Sequence, residues 1–140
     1  MKKITFIAIL LLCICSLTKA KEKVIEQPPF IAWTSTSIQV DKVVLSDRAT
    51  VLYIKAFYHP KKWIRISGQS FLKDNNGETY ALRSGIGIKP DTEFWMPESG
   101  EGEFRLVFPP IPTSATSIDF SEGDNVQGAF KIWGIQLKGK

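Results

Sequence analysis

Cysteine and histidine are almost missing from this sequence, and each absence removes a class of chemistry. The 140 residues hold two cysteines, Cys13 and Cys15, and one histidine, His59. Both cysteines lie in the first twenty residues. The remainder is cysteine-free, which excludes disulfides, thiol redox catalysis and thiolate metal sites from it. General acid and base catalysis usually needs a histidine or two carboxylates held close together. His59 precedes Pro60 at the end of an apolar run and reads as a loop residue. The sequence contains no Gly-x-Ser-x-Gly elbow, Ser-x-x-Lys pair, His-Glu-x-x-His helix or phosphate-cradling glycine loop. Ser84-Gly85-Ile86-Gly87 has two glycines but no following helix to bind an anion. Sustained helical periodicity, internal repeats and low-complexity segments are missing as well.

The amino terminus carries the clearest signal that is present. Lys2 and Lys3 precede a run from Ile4 to Cys15 that is apolar except for Thr5, and Ser16-Leu17-Thr18-Lys19-Ala20 follows. That order is the layout of a secretory signal peptide, with Thr18-x-Ala20 placing cleavage after Ala20. The run is shorter than the roughly 20 residues that a membrane-spanning helix needs. The mature chain is therefore expected to be exported, to the periplasm or beyond the cell, with no transmembrane segment. A lipid anchor on Cys15 is disfavoured, because Leu12 and Ile14 are bulky where lipoprotein signals carry a small residue.

Cleavage also changes the charge. The full chain has 18 basic and 14 acidic side chains, a formal +4. Losing Lys2, Lys3 and Lys19 leaves 15 against 14, a balance of +1. The basic character belongs largely to the leader, so a nucleic-acid partner is not expected.

Residues 21–30, KEKVIEQPPF, read as a polar, proline-bearing linker into a domain spanning 31–140. Short apolar or alternating runs then follow, over 37–45, 50–58, 63–72, 79–88, 93–96, 104–108, 117–120 and 130–137, each bounded by turn residues. Seven or eight strands at roughly ten-residue spacing predict an all-β fold, an antiparallel, immunoglobulin-like β-sandwich. In 50–58, Leu52, Ile54, Ala56 and Tyr58 fill one face while Val51, Tyr53 and Phe57 nearly fill the other, so this strand is central or covered on its second face. Gly134 shifts the apolar parity between Ile132 and Ile135, which a bulge or a close backbone approach would explain. Asn75-Asn76-Gly77 is a hairpin signal between 63–72 and 79–88.

Candidate sites are few. Asp74 to Glu78 is oxygen-rich but lacks the twelve-residue spacing and terminal glutamate of a calcium loop, so a hairpin suffices and no metal or other cofactor is expected. Glu98, Glu101 and Glu103 sit in a glycine-rich stretch read as a flexible, solvated link. Trp63 and Trp133 lie in strongly apolar runs and are expected in the core. Phe94, Trp95, Met96 and Pro97 are flanked by polar, glycine-rich segments and form the candidate binding edge. Lys61-Lys62 reads as a soluble loop tip.

The stretches "DKVVLSDRATVLYIKAFYHPKKWIRI", "SFLKDNNGETYALRSG", "EFWMPESG", "FRLVFPPIP" and "FKIWGIQL" resemble the amino-terminal β-domain of exported Bacteroidetes-type proteins, often found upstream of a thioredoxin-like domain. The resemblance spans nearly all of residues 24–137. It implies an exported β-domain and carries over no catalytic residue, because no Cys-x-x-Cys is present. The expected function is a non-catalytic module of the cell envelope, protein-binding or structural. One alternative is the accessory domain of an extracytoplasmic thiol-disulfide oxidoreductase whose catalytic domain lies outside this chain. Another is carbohydrate binding through surface tryptophans.

Overall fold

A computed structural model describes residues 22–123 and 125–138. The expected signal peptide over 1–20 lies outside the described residues. Among those described there is no helix long and apolar enough to cross a membrane, and the fold is all-β and antiparallel, with twelve strands. In chain order these are β1 (Lys23–Glu26), β2 (Ala32–Trp33), β3 (Ile38–Leu45), β4 (Thr50–Phe57), β5 (Trp63–Ile64) and β6 (Phe71–Asp74). Then come β7 (Thr79–Ala81), β8 (Ser84–Ile86), β9 (Phe94–Trp95), β10 (Glu101–Phe108), β11 (Ser117–Ser121) and β12 (Lys131–Gln136).

Two five-stranded sheets run in the orders β1-β3-β4-β10-β8 and β2-β12-β11-β6-β7, and β5 pairs with β9 in a separate two-stranded ribbon. The arrangement is sandwich-like. The long strand β4 alternates buried and half-buried along its whole length and lies at the centre of its sheet, as its two-faced apolar pattern predicts. Phe108 of β10 and Phe120 of β11 meet edge to face with ring centroids 6.4 Å apart, joining the inner faces of the two sheets. Leu52, Ile54, Leu72, Leu106, Ile118 and Ile135 are buried in the same core. Each such side chain contributes roughly 2 kcal/mol through removal from water.

Several runs fold differently from their sequence reading. The expected linker contains β1, which pairs with β3 from Lys23 opposite Leu45 to Glu26 opposite Lys42 and buries Ile25. The 63–72 run is two strands, separated by a turn at Ser67 to Ser70. There the Ser70 hydroxyl and backbone N–H both donate to the Ser67 carbonyl, at 2.7 and 3.2 Å. The 79–88 run is likewise divided, because the chain crosses from one sheet to the other. Leu82 N–H donates to Ser70 and the next N–H, of Arg83, donates to Val107 in the opposite sheet. The acidic stretch expected to be a flexible link is partly strand, since Glu101 to Glu103 pair with Phe57 to Lys55.

Bulges account for the parity shifts. In β3 the register slips between Val40 and Lys42, so Ile38 and Val40 are buried on one parity and Val43 and Leu45 on the other. In β12 an extra residue lies between Ile132, opposite Phe120, and Ile135, opposite Ile118. Gly134 sits in this bulge at φ 67°, its N–H bonded to Asp119 Oδ1 at 2.8 Å, and the Ile31 side chain occupies the space a Cβ would need. Both explanations offered by the sequence, a bulge and a close approach, apply here.

Candidate functional site

The β5–β9 ribbon holds the candidate binding edge, and its register is simple: Trp63 faces Trp95 and Ile64 faces Phe94. Two further backbone bonds lengthen it, Met96 N–H to Lys62 O at 2.8 Å and Lys61 N–H to Met96 O at 3.3 Å. Alternation along the strand then decides each residue's fate. Trp95 is 63% exposed and Pro97 is exposed, whereas Met96 is buried at 3% and belongs to the core. Met96 is thus an anchor rather than part of a binding surface, because its side chain points to the inner side of the ribbon. Phe94 is half-buried, its ring 5.2 Å from that of Phe104 in an edge-to-face contact. Gly102 makes this possible, since a Cβ at that position would fall 2.7 Å from Phe94 Cε1.

Two tryptophans expected in the core are on the surface. Trp63 is 44% and Trp133 39% exposed. Trp63 and Ile64 form β5, and Ile64 and, just beyond the strand, Ile66 are the buried ones, leaving Trp63 and Arg65 on the outer parity. In β12 the bulge turns Ile132 and Ile135 inward and Trp133 outward. An apolar run identifies a strand, but one residue of offset decides which of its aromatics are covered. Tyr58 also lies just past the end of β4 and is exposed, with its ring 5.2 Å from that of His59.

Beside the ribbon lies an open cleft of about 670 Å³. Its lining includes Tyr58, Trp63 and Arg65, the turn residues Ser67, Gln69 and Asp91, and Asn125, Gln127 and Phe130 from the segment before β12. The lining also includes Glu122, a buried carboxylate that accepts Ser67 N–H at 2.6 Å and Phe130 N–H at 2.7 Å. Burial pushes its carboxyl above the usual range, while the two backbone donors and nearby Arg65 oppose that shift and Asp91 adds to it. Asp91 holds the neighbouring turn, accepting Gly68 N–H at 2.9 Å. None of these polar residues carries a motif in the sequence, because they come from segments tens of residues apart and meet only through the fold.

The oxygen-rich turn is the hairpin expected from its sequence. Asp74 Oδ1 accepts Asn76 N–H at 2.9 Å and Glu78 N–H at 3.0 Å, Oδ2 accepts the Tyr80 hydroxyl at 2.8 Å, and Gly77 adopts φ 87°. Burial tends to raise the Asp74 carboxyl, but these donors outweigh it and hold it below its ordinary value. Burial and the Asp74 carboxylate push the Tyr80 phenol up to about 12. Among the described residues no three His, Cys, Asp or Glu side chains converge as metal ligands. At the loop tip, Lys61 Nζ stands 4.0 Å from Glu98 with both side chains exposed, a pair of little energetic weight. No family model, curated protein or solved structure matches this chain.

Proposed function

We propose that residues 21–140 are a single immunoglobulin-like β-sandwich module, exported to the cell envelope, that has no catalytic activity and meets a protein partner through the β5–β9 ribbon. The observation that carries this reading is the Trp63–Trp95 pair, two half-exposed indoles directly opposite each other on a hydrogen-bonded ribbon. Large aromatics held in place lose little freedom on contact, which is why such residues dominate binding energy at interfaces. Buried Met96 and the Phe94–Phe104 contact keep this edge in one conformation. Export is supported by the leader pattern of residues 1–20 and the cysteine-free remainder. A non-catalytic role is supported by the use of the perturbed groups: Asp74, Tyr80 and Glu122 are each engaged in hydrogen bonds that hold a turn or loop.

The test is site-specific photocrosslinking. A photoreactive phenylalanine analogue at position 95 of the full chain, expressed in its native host, should give one discrete protein adduct on illumination. The same group at exposed Ile86, on the edge strand β8, should give none. No adduct from position 95, or the same adduct from both positions, would refute the reading.

A further inference from the structure

We infer that the cleft beside the ribbon is a second recognition site, built to bind an uncharged saccharide. It goes beyond the protein-binding edge: the two share Trp63, but the rest of the cleft lining comes from other segments and does not include Trp95. A sugar ring offers an apolar face of C–H groups and an edge of hydroxyls that both donate and accept hydrogen bonds. The cleft offers the complement of each.

The aromatic element is Trp63, half-exposed and lining the cleft, with Tyr58 beside it. Trp63 and Arg65 are two residues apart in extended chain, so their side chains leave the same face about 7 Å apart. That spacing sets a stacking plane next to a forked donor. The lining also includes Gln69, Asn125 and Gln127, whose amides both donate and accept, as hydroxyls require. The volume of about 670 Å³ falls within the range of small-ligand sites.

Two features make this more than a surface furrow. First, the segments that line it are tied together. Glu122 bridges Ser67 and Phe130, two backbone positions far apart in sequence, through bonds of 2.6 and 2.7 Å. The loop wall is further held by Ala129 N–H to Val126 O at 3.2 Å and by the Thr34 hydroxyl to Ala129 O at 3.1 Å. The cleft is therefore preformed, which lowers the ordering cost of binding. Second, its charged lining selects by sign. Among the described lining residues Arg65 is the one cation, against the carboxyl groups of Asp91 and Glu122, so a polyanionic ligand finds little positive charge to pair with, whereas an uncharged polyhydroxyl ligand needs none.

The probes are cellotetraose, maltotetraose, mannotetraose and xylotetraose, with an acidic uronic-acid tetramer and an uncharged Ser/Gly/Ala peptide of similar length as comparators. Each is titrated into the purified mature chain, without any protein partner, while the indole N–H signals are followed by NMR. At least one neutral tetrasaccharide should saturate below about 1 mM and shift the Trp63 indole signal, leaving that of Trp33 in place. Trp63→Ala should weaken this binding by about tenfold or more. Gln127→Ala, at an exposed lining residue outside the strands, should weaken it severalfold with an unchanged melting temperature. Saturation by the peptide or the acidic tetramer instead, or no shift of Trp63 with any neutral sugar, would overturn the inference. An adduct from position 95 without sugar binding would leave only the protein-binding reading standing, and sugar binding without an adduct would leave only this one.

Discussion

The carboxylate of Glu122 accepts the backbone N–H of Ser67 at 2.6 Å across a sequence separation of 55 residues, and its second oxygen accepts Phe130 N–H at 2.7 Å. One buried side chain thereby ties together the ends of segments that already neighbour each other in the sheet, where β11 pairs with both β6 and β12. Its removal orphans two donors at once, and an unsatisfied buried donor costs about 1–3 kcal/mol. Glu122→Ala should therefore destabilise the domain by about 2–4 kcal/mol in urea denaturation. An unchanged midpoint would show that water or a rearranged loop replaces the carboxylate.

Protonation of Glu122 gives a separate and signed expectation. Burial raises its carboxyl in the fold above the ordinary 4.5. The folded state then holds its proton to a higher pH than the unfolded state. This contribution to stability is fully present below the ordinary value and is lost as pH rises through the raised one. Relative to Glu122→Gln, the native chain should lose stability as pH rises from about 4 to 8. A constant difference between the two across that range would contradict this.

At the hairpin, the Tyr80 phenol should titrate at about 12, read from its ring-carbon NMR shift. Burial and the Asp74 carboxylate both hold it there, so Asp74→Asn should bring it back toward its ordinary 10. The Asp74 contribution to stability has the opposite sign to that of Glu122. Its carboxyl is held low by hydrogen bonds, so its stabilisation is present above the ordinary 3.8 and disappears in more acidic solution.

Adjacent residues on the ribbon should respond in opposite ways. Trp95→Ala should change unfolding free energy by about 0.5 kcal/mol or less, as exposed substitutions do. Met96→Ala should cost about 2–5 kcal/mol, since it leaves a cavity where a side chain only 3% exposed had been. Similar losses for both would mean that Trp95 packs against the domain.

Gly102→Ala tests the seating of the ribbon. Its new methyl would overlap the Phe94 ring, and overpacking of this kind costs about 1–3 kcal/mol. The Trp95 indole signal should move with Phe94, since the two are neighbours on β9. A shift confined to β10 would show that the strand yields instead.

Much of the fold was legible in local pattern. The long alternating runs over 38–45 and 50–57 formed strands, the Asn76-Gly77 pair formed a hairpin, and the parity shift at Gly134 marked a bulge. These follow from forces between near neighbours: side-chain alternation, turn geometry and the space around one glycine. The scarcity of cysteine and histidine bounded the available chemistry in the same direct way. What the sequence left undecided depended on the other sheet. The edge strand β1 has too few apolar residues to announce itself and exists because β3 offers unpaired backbone groups. The 79–88 run is cut in two because consecutive N–H groups at Leu82 and Arg83 find partners in different sheets. Trp63 and Trp133 looked like core because hydrophobicity measures the gain from burial, not which face of a strand receives it. The cleft was invisible for the same reason: Trp63, Arg65, Glu122 and Gln127 form no pattern along the chain, and tertiary structure alone brings their segments around one cleft.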